Sequence, residues 1–139
     1  MNLTTLAWIS FCLMCSVFAN SARAQDNLYQ CTVKQVLELN DAGVLVPIRA
    51  PGVTHIGDTF TINRTTGEVW GKWINTGYAE SFKLVDKGGS SSSNSLKISG
   101  VIKHWHPTLF SLTVVDHEKK QTYAFSGYFK YHHIAGTCK

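Results

Sequence analysis

The sequence predicts one small all-β domain, an antiparallel meander barrel or strongly curled sheet of about eight strands. Three observations predict it. Short runs of period-two alternation recur along the chain. Clusters of Gly, Asn, Asp, Pro and Ser separate them. No segment keeps a helical period beyond a turn or two. A small sheet must bury its apolar face and protect its edges, and curling does both.

The plainest stretch is 58–71, DTFTINRTTGEVWG. Phe60 and Ile62 alternate with Thr59, Thr61 and Asn63, as in a strand with one buried face. Asn63 can accept backbone N–H groups within the following turn, and Gly67 can take the positive φ that ends a four-residue hairpin loop. Val69 and Trp70 resume a strand.

Further strands follow from the same logic. In Leu28–Leu39, Tyr29, Cys31, Val33, Leu37 and Leu39 share one face, with Gln35 the exception. Gln30, Thr32, Lys34 and Glu38 share the other, with Val36 the intruder. Residues 44–48 read as a second strand, and Pro47 inside it argues for an edge or an end. Asn75-Thr76-Gly77 reads as a turn and 81–86 as a strand. Residues 87–94, KGGSSSSN, have nothing to bury and read as a flexible connection. In Ser95–Ile102, Leu96, Ile98 and Ile102 point inward, and Gly100 on that side suggests a bend or bulge. Residues 109–115 are rich in β-branched and aromatic types. Residues 116–120, DHEKK, read as a charged, solvated tip. The last two strands, 121–126 and 131–137, are expected to turn around Gly127.

Residues 1–24 have the pattern of a signal peptide. An apolar run at 6–19 is too short to remain a membrane span, and Ala22-Arg23-Ala24 offers a small-x-small cleavage site. The mature domain is then 25–139, with a secreted or periplasmic destination. Arg23 leaves with the signal, so 12 basic residues face 9 acidic ones. This mild, dispersed charge argues against nucleic acid as a partner. No later run is long enough for a stable membrane span. Two of the four cysteines, Cys12 and Cys15, also leave with the signal. Cys31 and Cys138 remain, and an even count in an exported chain reads as a disulfide joining the first strand to the last.

Several segments together resemble a group of small secreted proteins predicted from proteobacterial genomes. They are Tyr29-Gln30-Cys31-Thr32-Val33, the run from Phe60 to Gly67, the serine-rich 89–96 with Lys97, and Gly136-Thr137-Cys138. The likeness covers most of the mature chain in the same order. It implies export, the disulfide and a bacterial source. It brings no activity and no catalytic residue, and 104–106 lies outside it.

The chemistry-bearing residues are few. His104 and His106, two apart on a strand, share a face, and His132 lies on the last strand. Three imidazoles of this kind could hold zinc or copper, so a metal-binding envelope protein is the alternative function. The aromatic residues Trp70, Trp73, Trp105 and Tyr128 are the expected ligand or partner surface. Alternation puts Trp73 on the face of Val69 and Trp70 on the opposite one, so at least one tryptophan is expected to be exposed. The chain lacks G-x-S-x-G, H-E-x-x-H and a phosphate-cradling glycine loop. The leading expectation is a non-enzymatic module, without a cofactor, that binds a small ligand or an envelope protein.

Overall fold

The computed structural model describes residues 27–48, 55–88, 95–102, 107–116 and 121–139. The expected signal peptide, most of the serine-rich connection, and His104, Trp105 and His106 lie outside the described residues.

The described chain is nearly all strand. Nine strands run in order as β1 (Leu28–Leu39), β2 (Leu45–Pro47), β3 (Thr59–Asn63), β4 (Val69–Gly71), β5 (Ala79–Lys87), β6 (Ser95–Ile102), β7 (Thr108–Val115), β8 (Tyr123–Phe129) and β9 (His132–Cys138). All ladders are antiparallel, in the order β4-β3-β1-β9-β8-β7-β6-β5, with the short β2 paired only to β1. Pro47 sits on that outlying strand, where its missing N–H costs no ladder bond. The sheet curls strongly into a half-barrel. Its two edges approach where the β3–β4 turn meets β5: a Cβ placed on Gly67 would stand 3.0 Å from the Leu84 Cβ.

The hairpin turn forms as its residues require. Asn63 Oδ1 accepts from the N–H groups of Thr65 (2.8 Å) and Thr66 (3.1 Å). Gly67 adopts φ +78° and donates its N–H to the Asn63 carbonyl at 2.8 Å. Further on, Asn75 caps a 3-10 turn at Thr76–Tyr78, its Oδ1 accepting from Gly77 N–H at 2.7 Å. Thr76 Oγ1 meets both the N–H and the C=O of Val69, so a side chain supplies ladder bonds to the edge strand β4.

The concave face is filled. Phe60, Ile62, Leu96, Ile98, Phe110, Leu112, Phe125, Phe129 and Ile134 are all buried in one cluster. Phe60 and Phe125 meet edge to face across the curl at 5.1 Å, joining β3 to β8. Cys31 and Cys138 are direct ladder partners, fully buried, and disulfide-bonded.

Four expectations need correction. Val36 points inward and Leu39 outward, the reverse of simple alternation. A β-bulge between Val33 and Gln35 in the β1–β9 ladder adds one residue and switches the phase. Gly100 lies in an unbroken β6–β7 ladder, neither bend nor bulge there. It is small because a Cβ there would collide with the Phe110 ring and the Ser81 carbonyl. Gly127 is no turn. It lies inside β8 between Leu112 and Ile134, and the chain reverses instead at Lys130, with φ +57°, and Tyr131. Finally, Asp116 is a buried anchor and not part of a solvated tip. It accepts from the Tyr29 hydroxyl at 2.6 Å and from Arg64 Nη2 at 3.2 Å.

Candidate functional site

The outer wall of β4-β3-β1-β9 carries a concavity. On these strands Tyr29, Cys31, Phe60, Ile62, Val69 and Cys138 face inward, so alternate residues face out. The registers align those outward residues in two rows. One runs Trp70–Thr61–Gln30–Lys139, since Thr61 opposes both Trp70 and Gln30, and Gln30 exchanges two backbone bonds with Lys139 (3.0 and 2.9 Å). The other runs Thr59–Thr32–Thr137. Together they line a groove of about 420 Å³, with backbone of Cys31 and Phe60 beneath. Its chemistry is uniform: four threonine hydroxyls, one carboxamide, one indole at an end, and Lys139 as the charged lining residue. Threonine is stiff at χ1, so these hydroxyls lose little freedom on binding.

A second groove, about 270 Å³, lies on the outer wall of β5-β6-β7. The outward Val101 and Leu109 make it apolar, and Leu109 is 71% exposed.

Trp70 and Trp73 lie on different faces, as alternation places them. Trp70 is exposed on the outer wall. Trp73 is half-buried beyond the end of β4, stacked on His55 at 3.7 Å and edge-on to Phe129 at 5.6 Å. Tyr128 is exposed between Ser111 and His133, outside the Trp70 groove.

His132 stands 6.1 Å from Trp73, ring to ring. Burial pushes its pKa down, with smaller downward contributions from His55 and Lys130 and an upward one from Glu38. The Nδ1 atoms of His132 and His133 are buried without a hydrogen-bond partner. His55 Nδ1 pairs with Asp58 at 2.9 Å. Among the described residues no group of three His, Cys, Asp or Glu is arranged to hold a metal ion. The other two histidines of the expected set, His104 and His106, lie outside the described residues, as does Trp105.

At the other end of the curl the polar groups are fully engaged. Besides its bond to Asp116, Tyr29 receives the Arg64 guanidinium 4.7 Å above its ring and Tyr123 edge-on at 5.4 Å. Burial, and then the bond to Asp116, push the Tyr29 hydroxyl well above its ordinary pKa. This cluster braces the fold.

Alternation puts Trp70 opposite Val69 and the cysteine count pairs Cys31 with Cys138, but neither points to the neighbours of Trp70. Thr59, Thr61, Gln30 and Thr32 were visible as the wet faces of two strands. That they are neighbours in one lattice depends on the β1–β3 pairing. Among the described residues no helix is long and apolar enough to cross a membrane. No protein-family model, curated protein or solved structure matches the chain, so the functional reading rests on this geometry.

Proposed function

We propose that this protein is a secreted or periplasmic binding module that takes its ligand or partner on the outer wall around Trp70, and not inside the curl. One observation carries the reading: an exposed indole closes one end of a polar groove whose walls are fixed by the disulfide-tied strands β1 and β9. The inner face is occupied, among the described residues, by packed aromatic and aliphatic side chains, which supports recognition on the outer wall. The cystine and the signal-like 1–24 support export to an oxidising compartment, and the resemblance to proteobacterial secreted proteins points the same way. The role is non-enzymatic.

The test is capture from an envelope extract by the exported, disulfide-bonded protein, side by side with Trp70→Ala. The reading expects material retained by the wild type and lost by the variant. Retention that is indifferent to Trp70 overturns it.

A further inference from the structure

We infer that the outer-wall groove binds a short neutral oligosaccharide, one sugar ring covering Trp70 and the hydroxyls of the next rings bonding Thr61, Gln30 and Thr32. The inference rests on the preceding reading and gives its ligand a chemical class.

The lining selects by exclusion. An apolar ligand would take four hydroxyls and a carboxamide out of water without returning their hydrogen bonds, which is costly. A polyanion would need more than Lys139. A protein partner of ordinary affinity needs roughly 800 Å² on each side, and the apolar patch at Val101 and Leu109 is on a different wall. Sugars meet the remaining specification. Threonine hydroxyls and the glutamine amide each donate and accept, as sugar hydroxyls do. An indole offers a broad apolar face to the C–H side of a pyranose.

The dimensions also agree. Adjacent strands lie ~4.8 Å apart, so the three strand steps from Trp70 to Lys139 cover about 14 Å. The second row, Thr59–Thr32–Thr137, runs beside the first at two residues along each strand, about 6.7 Å away. A chain of two or three pyranose rings laid across the strands therefore meets a hydroxyl or amide on both sides at β3 and at β1, with Trp70 on one flank and Thr137 and Lys139 on the other. Strand backbone and β-branched side chains hold these groups in place before the ligand arrives.

The experiment is a titration of the exported protein with cellotriose, chitotriose and maltotriose, followed by calorimetry and by the tryptophan indole N–H signals. At about 10 mM sugar, a site with a Kd of 1 mM is largely filled. The expected result is saturable binding of at least one trisaccharide. Trp70→Ala should weaken it at least tenfold, and Thr61→Val and Thr32→Val several-fold, with unchanged urea midpoints. No binding of any of the three, or binding untouched by Trp70→Ala, overturns the inference. Capture of a protein through Trp70 that excess trisaccharide does not compete would also remove the sugar while leaving the outer-wall reading in place. Capture indifferent to Trp70 would remove both.

Discussion

The two faces of the β3-β1-β9 patch are built from alternate residues of the same three strands, and they divide the work. Inward, Phe60, Ile62, Tyr29, Cys31 and Cys138 are all but inaccessible. Outward, one peptide away, stand Thr59, Thr61, Gln30, Thr32 and Thr137. The inner set holds the curl and the outer set presents chemistry. Because side chains alternate along these stretches, which precede the β1 bulge, substitutions one residue apart should have unlike consequences.

The largest separation is expected at the cystine. Replacing Cys31 and Cys138 together with Ala opens a loop spanning a sequence separation of 107. The chain-entropy model gives a loss of about 4–5 kcal/mol. That is a large share of the stability of an ordinary domain. Urea denaturation should show it as a much lower midpoint, and an unchanged midpoint would mean that the bond contributes little.

Next in size is the Asp116 brace. Asp116→Ala leaves the Tyr29 hydroxyl and the Arg64 guanidinium without their shared acceptor, at a cost of roughly 3 kcal/mol. Tyr29→Phe should cost less, because Asp116 keeps Arg64. On the outer face, Thr61→Val is expected to stay within about 0.5 kcal/mol of the wild type. Chemical denaturation of the three variants ranks them, and a Thr61→Val loss equal to that of Asp116→Ala would erase the contrast between faces.

Smaller, and distinct in sign, are two pH limbs. The Tyr29 pKa is raised in the folded state, so its contribution is complete below the ordinary tyrosine value near 10 and is lost as pH climbs above it. The His132 pKa is lowered, so its neutral form is the folded form. Stability from this group is complete above about 6.5 and declines as pH falls below it. Thermal unfolding across pH should therefore show an alkaline limb flattened by Tyr29→Phe and an acid limb flattened by His132→Gln. Limbs that persist unchanged in those variants belong to other groups.

Much of the fold was legible because the signals are local. The bounds of β1, the Asn63–Gly67 turn, the edge or end position of Pro47 and the placing of Trp70 opposite Val69 all follow from alternation or turn chemistry within a few residues. The failures are all properties of pairs. The bulge that turns Val36 inward exists only in the β1–β9 ladder. Gly100 and Gly127 are small because of neighbours on β7, the Phe110 ring and the Ser111 carbonyl, and a glycine that makes room looks in sequence like one that makes a turn. Asp116 sits beside four charged or titratable residues and so reads as solvated. Its partners are 52 and 87 positions away. The candidate site divides in the same way. One indole could be found from its own strand, whereas the lattice beside it is assembled from β1, β3, β4 and β9.

The most direct test follows the indole N–H signals of Trp70 and Trp73, assigned by single Trp→Phe variants, as the captured ligand is added. A site on the outer wall predicts that the Trp70 signal moves in a saturable way while that of Trp73, stacked on His55, stays in place. Movement of Trp73 with Trp70 unmoved would put recognition at the end of the curl and contradict the account.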